Sequence, residues 1–105
     1  MSDDQFNIIY NKSLDLLSRR EHSRKEIKEK LLLRYENNVQ IDIVLEKLVS
    51  NNLINDSRFA EAYVINRKRK GFGPKKIIFE LISKGVKESI ANEVVEIEGG
   101  WIEEA

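Results

Sequence analysis

Shifting the chain by 50 positions lays one half of it over the other. Ser23-Arg-Lys-Glu-Ile27-Lys-Glu-Lys-Leu31 falls over Gly73-Pro-Lys-Lys-Ile77-Ile-Phe-Glu-Leu81. A helix-starting residue lies over a helix-starting pair, Ile27 over Ile77, Leu31 over Leu81 and Arg34 over Lys84. One helix earlier, Leu14 lies over Val64 and Arg20 over Lys70. A repeat of about 50 residues in a chain of 105 permits few folds. Each copy must be one small supersecondary unit, and a unit of that size buries little surface alone, so neighbouring copies lean on one another.

The periodicity inside each copy is helical. Tyr10, Leu14 and Leu17 share a helix face, as do Ile27, Leu31 and Tyr35. Ile41, Val44, Leu45, Leu48 and Val49 fill the i, i+3, i+4, i+7, i+8 template. The punctuation agrees with that spacing. Ser23 with Glu26 three residues on forms a capping box, so one helix ends near Arg20–His22 and another begins. Asn37-Asn38 and Asn51-Asn52 make breaks. Asp56 reads as the N-cap of a helix from Ser57 to about Lys70, stopped by Gly71. Gly73-Pro74 sets glycine at the next cap and proline at the first helical position, where its missing N–H does no harm. Gly85 ends that helix, and a last one runs over about 88–97 before Gly99-Gly100. The expected fold is therefore all-α: about six helices in two tandem three-helix repeats, elongated. Residues 5–54 form the first repeat, 55–98 the second, and 99–105 an acidic tail.

Composition narrows the setting. Hydrophobic residues make up 41% of the chain and charged residues 34%, enough apolar material for a core. The chain has no cysteine, which excludes disulfides and thiolate metal sites and fits a reducing cytosol. Residues 1–10 are acidic with a short apolar run, so no signal peptide is expected, and no stretch approaches the roughly 18 apolar residues of a membrane span. A cytoplasmic location is the expectation.

Net charge is zero, yet its distribution is uneven. Residues 67–87 carry eight Lys/Arg against Glu80 alone, a balance of +7. Residues 19–34 carry a balance of +4, and residues 88–105 hold six Glu and no base. Two basic zones in an otherwise acidic chain suit local contact with a polyanion or an acidic protein surface.

Catalytic chemistry is nearly absent. His22 stands in a turn with no histidine or cysteine partner and reads as a turn or cap residue. Carboxylates are scattered among lysines at helical spacing, the pattern of a solvated helix face. Gly71-Phe-Gly-Pro74 lacks the Gly-Lys-Ser/Thr ending of a phosphate loop and reads as a helix stop followed by a start. The run Arg67-Lys-Arg-Lys70 exceeds what the helix macrodipole alone favours at a C-terminus. Phe72, among these charges, is open to three readings: a stacking platform for a nucleobase, an anchor into a partner pocket, or packing between helices. Trp101 either docks back on the body or stays free.

Two segments carry a resemblance. Ser18-Arg-Arg-Glu-His-Ser23, with Glu26 and Lys30-Leu-Leu32, resembles the first-repeat signature of the RecX family. Leu53-Ile-Asn-Asp-Ser-Arg-Phe-Ala-Glu-Ala-Tyr-Val64, followed by Arg67 and Gly71-Phe-Gly-Pro74, resembles its second repeat. Both occur in order and at the right separation, and the match covers about residues 8–97. The resemblance implies tandem three-helix repeats that bind the RecA–DNA filament in its helical groove. It also implies modulation, most plausibly inhibition, of RecA recombinase, ATPase and co-protease activity. That role belongs to regulation of DNA repair, homologous recombination and the SOS response. Family members usually continue into a third repeat, whereas this chain stops at Gly99-Gly-Trp-Ile-Glu-Glu-Ala105.

The expected protein is thus a regulator and not an enzyme, with no cofactor and no metal. Its partners are the RecA filament and, as a further option, single- or double-stranded DNA. Charge and spacing select Arg19, Arg20, Arg24, Lys25, Arg67, Lys68, Lys70, Phe72, Lys75 and Lys76 as partner-binding residues. Arg67, Lys68, Lys75 and Lys76 are expected on an exposed face. The tail with Trp101 is expected to cover Ile90, Val94 and Ile97. The alternatives are a stand-alone helical nucleic-acid-binding module, or an adaptor for another acidic protein.

Overall fold

The computed structural model of the chain describes residues 2–36 and 38–101, with side chains from residue 4 onward. Asn37 of the first expected break and residues 102–105 of the tail lie outside the described residues. Among the described residues there are six helices and no strand: α1 (Ser2–Arg19), α2 (Arg24–Tyr35), α3 (Gln40–Ser50), α4 (Asp56–Arg69), α5 (Pro74–Ser83) and α6 (Glu88–Glu98). They fall into two compact units, Met1–Asp56 and Ser57–Ala105.

Each unit closes on its own core. In the first, Ile9, Ile27, Leu31, Ile41, Val44, Leu45, Leu48 and Ile54 are all buried. In the second, the buried set is Phe59, Ala60, Val64, Ile77, Leu81, Val86, Ala91, Val94 and Val95. The 50-residue shift survives here: Ile9 and Phe59, Ile27 and Ile77, Leu31 and Leu81, Ile41 and Ala91, Val44 and Val94, and Leu45 and Val95 are buried in both copies. Burying one such side chain stabilises by about 1.5–3 kcal/mol. Tyr10, Leu14, Leu17 and Tyr35 pack against the first core only in part. Val49 departs from its template: it is 44% exposed, because Ile41, Val44, Leu45 and Leu48 already complete the buried face of α3.

The caps explain where the helices begin and end. Ser23 Oγ accepts from the Glu26 N–H at 3.1 Å, and the Ser23 N–H donates to Glu26 Oε1 at 3.1 Å, a complete capping box. Gly73 is the N-cap of α5, with Pro74 just inside it. The helix over the second signature begins at Asp56 itself, one residue earlier than expected. The Asp56 carboxylate accepts from the Arg24 N–H at 2.9 Å within the first unit. At the end of α4, Phe72 N–H reaches Arg67 O at 3.1 Å and Gly71 N–H reaches Lys68 O at 2.9 Å, with Gly71 at φ 94°. That is a Schellman motif, and its left-handed residue favours glycine. Asn52, at φ 58°, serves the same end at α3.

Candidate partner-binding surface

The turn between α4 and α5 gathers most of the expected site, and it sorts those residues into two groups. Arg67 is engaged inside the unit. Its Nε and Nη2 donate to the two Glu80 carboxylate oxygens, both at 3.0 Å, and the Tyr63 hydroxyl adds a third hydrogen bond at 2.8 Å. The same guanidinium lies 3.8 Å from the Phe72 ring centroid, and Phe72 itself packs against the second core. Lys68 donates to Gly99 O at 2.6 Å, sits 3.6 Å from the Glu98 carboxylate and lies 5.2 Å from the Trp101 ring. Arg67 and Lys68 are therefore not the free surface charges the sequence suggested. Both are drawn inward because acceptors on α5 and at the end of α6 come within reach once the unit folds.

The remaining cations of this turn point to solvent. Arg69, Lys70, Lys75 and Lys76 are exposed, and only Lys76 has an aromatic neighbour there, the Phe72 ring at 5.1 Å. The zone's one acid, Glu80, is occupied by Arg67. Burial pushes the Glu80 carboxyl up, but the Arg67 and Tyr63 hydrogen bonds and the Arg67 charge outweigh that and hold it below the usual value. Among the described residues Arg69, Lys70 and Lys75 have no ion-pair partner, and Lys76 adds its charge to those acting on Glu80.

The first unit treats its bases differently. Arg19 pairs with Asp15 at 3.0 Å. Arg20 reaches both Glu26 oxygens, at 3.1 and 3.3 Å, and donates to Glu21 O at 2.8 Å. Arg24 is half-buried at the start of α2, and Lys25 beside it is exposed. His22 is not a solvated turn residue: it is 1% exposed. Its Nε2 accepts from Lys30 Nζ at 2.8 Å, which puts the ring proton on Nδ1, where it donates to Arg20 O at 3.0 Å. Burial pulls the imidazole below its ordinary value, the neighbouring Arg20 and Lys30 charges add to that, and the Arg20 carbonyl opposes it. Burial likewise lowers Lys30, helped by Arg20.

Known proteins match both units of the chain. The family model described as "RecX, first three-helix domain" matches residues 10–48, and "RecX, second three-helix domain" matches residues 55–95. The chain belongs to the RecX family. A "Regulatory protein RecX" of Halorhodospira halophila is 39% identical over 94 residues, and one of Chlorobium phaeobacteroides is 41% identical over 96 residues. These alignments cover 89% and 90% of this chain but 58% and 64% of those relatives, so the chain spans about three fifths of their length. The crystal structure of RecX from Lactobacillus salivarius superimposes with a TM-score of 0.78 at 32% identity, covering 92% of this chain and 64% of that one. A second, described as the crystal structure of regulatory protein RecX, gives 0.82 at 27% identity, covering 93% and 49%.

Within this RecX-family frame one candidate residue escaped the sequence reading. Phe79 is 74% exposed, on the face of α5 opposite Ile77, one turn from Lys75 and one turn before the exposed Ile82. The signal was present: Ile77, Ile78 and Phe79 are consecutive, and a helix burying Ile77 and Leu81 must turn Phe79 outward. Trp101 does dock on the body, its indole N–H donating to Val95 O at 2.9 Å. Ile97 nonetheless stays 75% exposed, so the expected cover over that face is not made by Trp101. Among the described residues no group of acids and histidines could hold a metal, and no helix is long and apolar enough to cross a membrane.

Proposed function

We propose that this chain is a non-catalytic, cytoplasmic regulator that binds the RecA–DNA filament and damps RecA's ATPase, recombinase and co-protease activities. DNA repair, recombination and the SOS response are the processes it would restrain. Membership of a family of regulatory proteins supports the reading. The observation that carries it to a surface is the exposed cation group Lys70, Lys75 and Lys76, with Arg69, around the α4–α5 turn. Such a patch attracts DNA phosphate or an acidic protein face, and Phe79 beside it offers an anchor. Arg24 and Lys25 extend the reading to the first unit. A regulator of this kind needs only greater affinity for the filament state it stabilises.

Cosedimentation with RecA filaments, and separately with naked single- and double-stranded DNA, tests the proposal. Retention by filaments alone, with slower ATP hydrolysis by RecA on single-stranded DNA, is the expected result. Equal retention by bare DNA would favour a stand-alone nucleic-acid module. Changing Lys70, Lys75 and Lys76 to Gln should weaken filament binding while leaving the fold intact. If the three meet phosphates, the slope of log affinity on log salt should flatten by about 0.7 per contact on single strands. Unchanged binding and slope would remove this turn from the interface.

A further inference from the structure

Away from the basic turn, the two units carry two surfaces of opposite charge and similar build. In the first unit a shallow hollow of about 410 Å³ lies between α1 and α2. Leu16 and Leu33 form its apolar part and Lys12, Lys30 and Arg34 its rim. Leu33 is 88% exposed, the most exposed large apolar side chain among the described residues. In the second unit a groove of about 290 Å³ lies between α4 and α6. Ile65, Ile90 and Ile97 supply its apolar wall and Glu61, Glu93 and Glu98 its rim. Ile65 and Ile97 are 44% and 75% exposed.

Neither rim is fully neutralised from within. Lys12 lies 3.6 Å from Asp15, but Lys30 is held by the neutral ring of His22, and among the described residues Arg34 meets the Tyr35 ring, at 5.8 Å, and no acid. On the other rim Glu98 lies 3.6 Å from Lys68, while Glu61 and Glu93 are exposed. Scattered apolar side chains on a surface need no explanation. Here each set is ringed by charges of a single sign, and the two signs are complementary.

We propose that the occupant of each surface is a second copy of this chain: the α1–α2 hollow of one copy seats against the α4–α6 groove of the next. Leu33 then enters the groove beside Ile65 and Ile97, and Lys12, Lys30 and Arg34 meet Glu61, Glu93 and Glu98. The two surfaces differ, so each contact is heterologous, the hollow of one copy against the groove of another. A partner helix in a groove is read through such apolar anchors, with the rim charges setting orientation. The contact leaves Lys70, Lys75 and Lys76 free, so it does not depend on the function proposed above.

Sedimentation velocity of the full chain over a wide concentration range is the test. The parent should self-associate at low salt and less so at high salt, where exposed charge pairs are screened. Leu33→Glu places a carboxylate against the acidic groove, and Ile97→Lys places a cation against the basic hollow. Both positions are exposed, so each variant should keep the parent's helical circular dichroism. Each alone should associate roughly tenfold more weakly, the effect of losing one anchor. Mixed, they should associate again, because the intact groove of Leu33→Glu accepts the intact hollow of Ile97→Lys. A parent that stays monomeric, or a mixture that associates no better than either variant alone, overturns the proposal.

Discussion

Where the first helix of each unit meets the second, the first unit buries a histidine and the second half-buries a phenylalanine. His22 and Phe72 stand 50 positions apart, as do Lys30 and Glu80, Ser13 and Tyr63, and Glu26 and Lys76. In the first unit Ser13 is fully buried, its hydroxyl returned to Ile9 O at 2.9 Å. In the second, the larger Tyr63 stands in that place and joins Arg67 in holding the Glu80 carboxylate. One frame therefore supports a joint built on a cation and a neutral ring, and another built on an anion and a guanidinium. The exchange also decides what the surface can do. In the first unit Glu26 neutralises Arg20; in the second its counterpart Lys76 is one more exposed cation, while Glu80 is occupied. The repeat is conserved in its core and diverges in its charge, and only the second copy is left with a free basic surface at this joint.

The largest effects should come from the shared frame. Leu31 and Leu81 are equivalent and fully buried, and cutting either to Ala removes a side chain that its neighbours cannot replace. Each substitution should cost about 2–5 kcal/mol. Amide hydrogen exchange should show each loss chiefly in the substituted unit. A loss well below that range at one position, against a full loss at the other, would mean that the two cores are not equivalent.

A smaller effect is expected at the second joint alone. Glu80→Gln keeps the shape and removes the charge, leaving Arg67 one weaker acceptor in place of two. Arg67 and Glu80 are only about a fifth exposed, at 22% and 21%, which sets this pair above an ordinary surface bridge. Some solvent screening remains, so about 1 kcal/mol is the expected loss by urea unfolding. Lys30→Met in the first unit removes a more exposed cation and should cost less. A larger loss for Lys30→Met would reverse the comparison.

How much of this the sequence shows depends on the distance over which each feature is specified. The capping box, the Gly73-Pro74 start and the buried pairs Ile27/Ile77 and Leu31/Leu81 are local patterns, and all are legible. So is the family, because its two signatures are contiguous runs. The joints are not. Arg67 and Glu80 are separated by thirteen residues, and their pairing depends on how α4 and α5 pack. A run of four bases looks like uniform solvated charge until folding draws Arg67 and Lys68 inward and leaves Arg69 and Lys70 outside. His22 follows a helix end, where a polar ring is ordinarily solvated, and its partner Lys30, eight positions on, comes within reach only once α2 has formed.

The two joints should also fail at different acidities. Folded His22 binds its proton less readily than the unfolded side chain, whose ordinary value is 6.5. Below that value the unfolded chain therefore takes up more protons, and stability falls as the pH drops. Glu80 works in the same direction lower down: its folded carboxyl titrates below the ordinary 4.5, so what it contributes is present above that pH and lost beneath it. Between about pH 7.5 and pH 5 only the first joint should weaken, seen as a falling melting temperature and faster amide exchange in α1 and α2. His22→Phe installs the residue that the second unit carries at the equivalent position and removes the titrating ring. Lys30 loses its acceptor but is exposed enough to turn to water, so the variant should fold. Its melting temperature should then be nearly flat over that interval while the parent's declines. If parent and variant decline in parallel, the acid sensitivity lies elsewhere and the buried imidazole is only a packing residue, as Phe72 is in the other unit.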